Sequence, residues 1–282
     1  MKTILVPTDF SEIADNAGKY AVLLAQQAKA KVILFHVFHL PIPVNEMPTV
    51  VITADELEKI NLEQLEDIKK KLITPGIEIE CIARTGFAGD EIVEFSKEKK
   101  VDLVVMGIKG TSLINEILIG SITTEVIRKT HQPVLVIPEK SNFQNIEKIA
   151  FACDYSEISD SSILKPLEDM VRLFKSKLLV VNVMQPEEVT TVEKAVAGIK
   201  LEHYLETIDH NLYFPTNDDV IEGINDFVYS MKAGMIAMIQ RKHSIFQRIL
   251  NKSNTKNMVF HTHIPLLVLP DKQAEKEEEK LR

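Results

Sequence analysis

Three glycines and a serine are spaced in a way that suits the binding of a phosphate group. Gly107 and Gly110 follow the apolar run VDLVVM, and Gly120 and Ser121 come nine residues later, where a helical pattern begins. Glycine lets the backbone approach a phosphate closely, and a helix start offers free N–H groups and a positive dipole end. The pattern Gly-x2-Gly-x9-Gly-Ser therefore predicts a backbone cradle for a phosphorylated ligand. The alternative is that these glycines only shape a loop and a helix start.

Further polar side chains stand where such a site would need them. Ser121 and Thr123 can add hydroxyl donors at the helix start. Asp9 follows the run ILVPT, and its negative charge suits a ribose hydroxyl, a base amino group or Mg²⁺ better than bare phosphate. Asp9 also has a purely structural interpretation, as a residue at the N-terminal end of a helix.

Alternating apolar runs and helical patterns must position these residues. In the first half we predict strands at 2–7, 31–38, 78–84, 101–106 and 133–137, and helices at 11–29, 54–72, 89–99 and 120–130. Runs such as VDLVVM are almost wholly apolar, which is typical of parallel strands covered on both faces. The order of elements predicts an α/β fold with a doubly wound parallel sheet. Ligands of such sheets bind beyond the carboxyl ends of the strands, where the strand order reverses.

The chain repeats this organisation a second time. The segment ILVPTDFSEI at 4–13 returns as IAFACDYSEI at 149–158, and the closing run PVLVIP returns as PLLVLP. We predict strands of the second half near 147–153, 177–184, 207–214, 234–239 and 265–269. The sequence therefore predicts two tandem domains, 1–138 and 146–270, followed by a charged tail at 271–282.

The second half lacks the three glycines. Alignment on the last strand places Ile239, Lys242 and Lys252 at the positions of Gly107, Gly110 and Gly120. Asp154 and Ser253 match Asp9 and Ser121, whereas Ala152 replaces Pro7. Side chains at the glycine positions would crowd the cradle, so we expect a phosphate site of this kind in the first half only. Basic residues of the second half could still attract an anion by charge alone: Arg241, Lys242, His243 and Lys252.

Charge and composition argue against several classes of partner. The 33 basic and 41 acidic residues give a net charge of −8, which disfavours nucleic acid or an anionic membrane as the main partner. No run approaches the ~20 apolar residues needed to span a bilayer. Cys81 and Cys153 lie far apart, as expected of reduced thiols, and we predict a cytoplasmic protein. We interpret four histidines as surface residues and not as zinc ligands: His203, His210, His261 and His263.

The glycine spacing resembles the signature of ATP-binding universal stress proteins. The first strand ending VPTDFS, the phrase VDLVVMGIKG and the final strand PVLVIP are similar to that family as well. The resemblance covers the first half fully, and the second half by the order of its elements and its flanking strands. It implies a Rossmann-like fold of the adenine nucleotide alpha hydrolase type. It also implies that ATP, with or without Mg²⁺, binds in the first half.

Carried over residue by residue, the resemblance implies a role for each part of the site. Pro7, Thr8, Asp9 and Val37 would hold the adenosine, with the backbone near Val37 reading the adenine. Met106 and Gly107 would lie beside the ribose and the first phosphate. The remaining phosphates would be wrapped by Gly110, Gly120, Ser121, Ile122 and Thr123. Lys109 departs from the His or Arg often seen before the second glycine, but it keeps the positive charge.

Sequence patterns of common catalytic sites are absent. There is no Gly-x4-Gly-Lys-Ser/Thr loop, no Gly-x-Ser-x-Gly elbow and no His-Glu-x-x-His helix. The segment PTDFSE after the first strand matches neither the SGGxDS loop of the hydrolases with this architecture nor the HIGH motif of the related synthetases. We therefore expect slow hydrolysis of ATP at most.

The resemblance also implies how the protein acts. It would be a stress-response regulator or sensor that uses ATP occupancy as a signal. In the family the last strand commonly pairs two domains about a twofold axis. A tandem chain would then form an internal pseudo-dimer, and two chains could dimerise further. The alternative is a nucleotide-independent interaction or scaffold protein with no ligand in either half.

Overall fold

The structure is a computed structural model that describes residues 1–40, 53–111, 116–118, 120–154, 158, 160–186, 192–240 and 263–271. The first half consists of β1 (Thr3–Pro7), α1 (Glu12–Ala28), β2 (Lys31–Phe38), α2 (Ala54–Leu72), β3 (Ile79–Thr85), α3 (Ala88–Glu98), β4 (Leu103–Thr111), β5 (Glu116–Leu118), α4 (Ser121–Lys129) and β6 (Val134–Pro138). The second half consists of β7 (Lys148–Ala152), a 3-10 helix (Ser161–Leu164), α5 (Lys165–Phe174), β8 (Lys177–Val181), α6 (Val192–Tyr204), β9 (His210–Tyr213), α7 (Val220–Met231), β10 (Met235–Gln240) and β11 (Leu266–Pro270).

The described strands form one sheet that runs through both halves. Its order is β3-β2-β1-β4-β6-β11-β10-β7-β8-β9, and β5 pairs with β4 off this path. Neighbouring strands along this path are parallel within each half, whereas β6 and β11 pair antiparallel, with Leu135 opposite Leu267. The predicted α/β class with two doubly wound halves is confirmed.

The repeat extends to the local backbone at the helix ends. α1 ends at Lys29 with φ 54°, and α5 ends at Lys175 with φ 55°. Lys100 after α3 and Lys232 after α7 also adopt positive φ, at 49° and 53°. Residues other than glycine adopt this left-handed conformation in only a few per cent of cases, mostly where a turn requires it. Its recurrence at matching positions shows that the two halves share one local design.

The sheet register fixes which residues of the two halves are equivalent. Ile4 on β1 lies opposite Leu103 on β4, and its repeat partner Ile149 on β7 lies opposite Met235 on β10. Four residues further along both strands, Gly107 therefore corresponds to Ile239. The predicted alignment is confirmed at this position. The other predicted counterparts, at 241–243 and 252–253, lie outside the described residues, as does most of the tail.

One strand differs from the prediction, and one helix differs between the two halves. β4 continues to Thr111 and does not end at residue 106, because its last three residues pair with β5 in an antiparallel hairpin. The first helix of the second half begins later than α1, as a 3-10 turn that leads into α5 with Pro166 in its first turn. Proline has no backbone N–H to donate and is tolerated only in the first turn of a helix, so Pro166 favours a late start.

Apolar side chains cover both faces of the sheet. Phe35 on β2 and Phe95 on α3 are fully buried and stack with their ring centroids 4.5 Å apart. Helices α1 and α2 pack on the opposite face. Within the described part of the chain, no helix combines the length and the apolarity that a membrane crossing requires.

Candidate functional site

A cavity of about 350 Å³ opens at the carboxyl ends of β1, β2 and β4 in the first half. The strand order reverses between β1 and β4, which is where ligands of doubly wound sheets bind. The volume lies within the range of small-molecule sites, roughly 300–1,000 Å³. The lining residues are Pro7, Thr8, Asp9, Ser11, Ile13, Ala14, Phe35, His36, Val37, Ala88, Ile92, Met106, Gly107, Ile108, Gly120, Ser121, Ile122 and Thr123.

The cavity brings together every predicted site residue except two. Lys109 and Gly110 lie further along β4, opposite Leu118 and Ile117 of β5. Beyond this strand pairing, their surroundings lie outside the described part of the structure. A role for these two residues in holding phosphate stays a prediction.

Hydrogen bonds fix the turn that follows β1. The Thr8 N–H donates to the carbonyl oxygen of Phe35 at 2.9 Å, and the Thr8 hydroxyl accepts from the Phe10 N–H at 3.1 Å. Asp9 is exposed, and its Oδ1 accepts from the Ser11 N–H at 3.1 Å. Phe10 adopts φ 65°, which is unfavourable for a bulky side chain. These bonds hold the turn in shape and direct Asp9 toward the cavity that it lines.

His36 is a lining residue that sequence reasoning missed. Its Nδ1 lies 2.8 Å from the carbonyl oxygen of Thr8, and its ring centroid lies 4.2 Å from that of Phe10. A carbonyl oxygen can only accept, so Nδ1 carries a proton and Nε2 of the neutral ring is an acceptor. The signal available in the sequence was its place next to Val37 on β2.

The start of α4 has the features of an anion site. Its N-cap, Gly120, offers no side chain to the free N–H groups, and its first turn contains no acidic residue. Among the described residues, none has an atom within 4 Å of the point where a Cβ atom on residue 120 would lie, so this backbone has open space beside it in the described structure. Thr123 is buried and Ser121 is exposed, and both line the cavity. This helix start can therefore present N–H and hydroxyl donors to an anion.

Gly107 has a packing role as well as a place at the cavity. A Cβ atom on residue 107 would lie 2.6 Å from the carbonyl oxygen of Ile13 and 2.7 Å from its Cγ2. Such distances are far below van der Waals contact, so α1 can lie this close to β4 only if residue 107 is glycine. The structural alternative stated above therefore applies to Gly107 at least in part.

The start of α3 forms another wall of the cavity through Ala88 and Ile92. Its N-cap, Phe87, makes no side-chain hydrogen bond to the helix. Nearby, Lys129 at the end of α4 donates to Asp90 at 2.7 Å and to Glu125 at 2.6 Å, and these hydrogen bonds raise the pKa of Lys129 to about 12. Lys129 thereby connects α3 with α4, and the first residues of both helices line the cavity.

The equivalent positions of the second half are built differently. Ile239 fills the place of Gly107 and is buried in a cluster with Ile158 and Ile163. Asp219, the N-cap of α7, accepts from the Ile221 N–H at 2.8 Å and from the Glu222 N–H at 3.3 Å. A carboxylate therefore already serves the helix start that corresponds to the start of α3.

His203 and His210 each lie beside a different glutamate, whereas His261 lies outside the described residues. His203 is exposed and lies 3.3 Å from Glu206, while His210 lies 3.5 Å from Glu202. The side chain of His210 is only 12% exposed, so its interpretation as a surface residue was wrong. His210 lies on β9, next to Glu202 of α6. Nowhere in the described ranges do three or more histidine, cysteine or acidic residues gather in a group that could hold a metal ion.

The lining residues limit the chemistry of the cavity. Ile13, Phe35 and Ile92 supply apolar surface, and the hydroxyls and helix start supply hydrogen-bond donors. None of the described lining residues is Lys or Arg. An anion in the cavity would therefore be held by N–H groups and hydroxyls, as helix starts hold phosphates elsewhere. The arrangement suits a ligand with an apolar ring at one end and an anionic group at the other.

Comparison with known proteins agrees with this geometry. The model of the Universal stress protein family matches residues 1–138. Universal stress protein MJ0531 of Methanocaldococcus jannaschii is 34% identical over 139 residues, which cover 48% of this chain and 81% of that protein. Universal stress protein MJ0577 of the same organism is 34% identical over 157 residues, which cover 50% of this chain and 97% of that protein.

A solved structure extends the likeness to both halves. The crystal structure of a universal stress protein from Archaeoglobus fulgidus has a TM-score of 0.74 and covers 95% of this chain and 98% of its own, at 19% identity. At that identity the likeness concerns the fold alone. The sequence relatives decide the family, because most of the length of each is covered at about one third identity. The chain belongs to the universal stress protein family.

Proposed function

We propose that the first half binds ATP in the cavity and that nucleotide occupancy regulates the protein in a stress response. The observation that carries the proposal is the uncapped start of α4, where Gly120 faces open space beside the hydroxyls of Ser121 and Thr123. An anionic tail bound there would complete the helix start. The apolar wall of the same cavity offers a place for the base.

The proposed placement of the nucleotide follows the lining residues. Pro7, Thr8, Asp9 and Val37 lie at one side of the cavity and would hold the adenosine. Met106 and Gly107 would lie beside the ribose, and Gly120–Thr123 would hold the phosphates. Mg²⁺ would be held mainly by the phosphates themselves, with the Asp9 carboxylate as the ligand that the protein can add. When bound, Mg²⁺ would neutralise part of the negative charge of the phosphates, because none of the described lining residues is Lys or Arg.

Contacts between the halves support the regulatory part of the proposal. α4 begins at the cavity and ends near β10, where Gln240 Nε2 donates to the carbonyl oxygen of Arg128 at 3.3 Å. α1 also begins at the cavity, and near its end Gln27 Nε2 donates to the carbonyl oxygen of Leu173 on α5 at 3.0 Å. A shift of either helix start on nucleotide binding would therefore reach the second half.

The second half is proposed to act without ATP. Ile239 occupies the place of Gly107. Asp219 occupies the N-cap position that Phe87 holds at the start of α3. We propose domains at 1–138 and 146–270 with a charged tail at 271–282. The antiparallel pairing of β6 with β11 supports an internal pseudo-dimer of these domains. We also propose that two whole chains form a homodimer and that the protein is cytoplasmic.

The test is calorimetric titration of ATP into the wild-type protein and into Gly120→Lys, which copies the second half. We expect wild-type binding at micromolar to millimolar ATP and a loss of at least about tenfold in the variant, because the lysine side chain fills the open space beside α4. Ile199→Lys places the same charge at an exposed site of the second half and should bind like the wild type. Absence of wild-type binding at millimolar ATP would remove the proposal.

A nucleotide-independent interaction protein is the second candidate. The packing of Gly107 against Ile13 favours it, because that contact explains one signature glycine without a ligand. Native mass spectrometry of the purified protein, before and after ATP is added, separates the two candidates. A mass that never includes nucleotide would support the second.

A further inference from the structure

Phe87 and His39 form an exposed aromatic pair in the first half. Phe87 is 75% exposed, although large apolar side chains are usually buried. The ring of His39, also an exposed residue, lies 5.7 Å from the Phe87 ring, with an angle of 60° between their planes. Such a separation is within the range of aromatic contacts. The two rings therefore present a joint surface to solvent.

Residues next to the aromatic pair in the chain line the cavity, although the two rings themselves are not lining residues. Ala88, the residue after Phe87, lines the cavity, and so does Val37, which precedes His39 by two positions. Side chains two apart at the end of a strand lie on the same face, so His39 follows Val37 toward α3. The Gly86 N–H donates to the carbonyl oxygen of Phe38 at 3.1 Å and joins the two segments. The pair thus lies next to the wall where the adenosine is proposed to bind.

The second half shows that an aromatic residue is not needed to build this helix start. Asp219 holds the position of Phe87 in the repeat, with φ −108° and ψ 114° against φ −91° and ψ 124°. Asp219 caps α7 with its side chain, whereas Phe87 leaves α3 without such a cap. The same backbone would therefore allow a stabilising side-chain cap at residue 87, and phenylalanine cannot form it. A ligand contact is a reason for keeping a ring at this place.

We propose that Phe87, together with His39, forms the surface on which the nucleobase stacks, and that Phe87 sets a preference for purine over pyrimidine nucleotides. The inference rests on nucleotide binding in the first-half cavity. Stacking depends on the area of the base, so a purine gains more from the pair than a pyrimidine does. The phosphates, held at the start of α4, contribute equally for every base.

The test compares ATP, CTP and inorganic tripolyphosphate as calorimetric ligands of the wild type, Phe87→Ala, Phe87→Tyr and His39→Ala. We expect Phe87→Ala to bind ATP about fivefold more weakly, the low end of the measured cost of removing one base–aromatic stack. His39→Ala should lose less, because Phe87 remains. Phe87→Tyr should bind like the wild type, since it keeps the ring. Tripolyphosphate should bind all four proteins equally, because it has no base.

A matched control and the opposing outcomes make the test decisive. Tyr229→Ala removes a second exposed aromatic side chain, 87% exposed on α7, and should leave every affinity unchanged. Undiminished ATP binding by Phe87→Ala would reject the stacking role alone, while nucleotide binding itself stands. Equal losses of ATP and tripolyphosphate would also reject it, because they indicate damage to the phosphate site. If the wild type binds tripolyphosphate but not ATP, both proposals fail.

Discussion

The carbonyl oxygen of Ile13 lies 2.6 Å from the place that a Cβ atom on Gly107 would occupy. The start of α1 thus rests directly on the backbone of β4, beneath the cavity that both elements line. Gly120 lines the same cavity, and no atom of the described ranges lies within 4 Å of its corresponding point. A side chain should therefore lower the free energy of unfolding more at residue 107 than at residue 120.

We expect Gly107→Ala to destabilise the protein by roughly 1–3 kcal/mol, the usual cost of forcing extra atoms into a packed site. The added methyl group must push α1 away from β4. Gly120→Ala is the comparison; it meets no packed atom among the residues described, and its cost should be limited to the poorer N-cap, about 0.5 kcal/mol. Urea denaturation of both variants without nucleotide measures the difference. Equal stability of the two would show that α1 is not held against β4.

Ile239, the counterpart of Gly107, should be needed for the stability of the second half. Ile239→Ala removes buried atoms from a cluster with Ile158 and Ile163, and we expect a loss of about 2–4 kcal/mol. Ile199→Ala, at an exposed position on α6, serves as the control and should change stability by less than about 0.5 kcal/mol. Thermal unfolding followed by circular dichroism measures both. A wild-type melting curve for Ile239→Ala would contradict the packing described for this position.

The sequence predicted the fold because each half alternates apolar strands with amphipathic helices at lengths that allow one arrangement. It also predicted the equivalence of Gly107 and Ile239, because the closing strands PVLVIP and PLLVLP anchor the alignment. Strand periodicity carries no information on what lies beyond a strand end. The β4–β5 hairpin was therefore missed, since its pairing depends on a contact between segments that each look like loop.

The candidate site could be predicted where it depends on glycine in the backbone. It could not be predicted where it depends on contacts between side chains from distant parts of the sequence. The glycine spacing pointed to Gly107 and Gly120, and both line the cavity. His36 and Phe87 carry no such signal, because a histidine in a strand and a phenylalanine in a loop are ordinary residues. Only the bond from His36 to Thr8 and the exposure of Phe87 set them apart.

Asp219 and Phe87 occupy equivalent N-cap positions, so removing the side-chain cap at one and adding it at the other should change stability in opposite directions. Asp219→Ala removes a carboxylate that accepts from two backbone N–H groups, and we expect a loss of about 1 kcal/mol. Phe87→Asp introduces the same cap on α3 and should stabilise the protein by about 0.5–1 kcal/mol. Both are measured by urea denaturation without nucleotide. A destabilised Phe87→Asp would mean that the ring of Phe87 has a packing role in the folded protein.

Cys81 should react slowly with alkylating reagents. Burial, followed by the charge and hydrogen bond of Glu66, raises the pKa of the Cys81 thiol to about 12. The thiolate is the reactive form, so at pH 8.5 we expect native Cys81 to be alkylated at least about a hundredfold more slowly than in urea. Iodoacetamide labelling with peptide mass mapping measures the rates. Similar native and denatured rates would contradict the raised pKa.

The same shift has a consequence for stability against pH. A folded-state pKa above the unfolded value of about 8.5 means that the native state retains a proton that the unfolded chain loses. The contribution of Cys81 is therefore fully present below pH 8.5 and declines as the pH rises toward 12. Glu66→Gln removes the nearby charge and should lower the thiol pKa, which speeds alkylation.

β6 donates and accepts backbone hydrogen bonds with β4 on one side and with β11 on the other, so its edges are satisfied within a single polypeptide. Residues 139–147 connect the first half to the second half covalently, so the two halves are held at a fixed effective concentration. Their association therefore needs no second molecule. Pairing then persists at any dilution and does not require two identical surfaces. The carboxy-terminal lobe is thereby free to diverge at its own strand ends while it continues to shield β6.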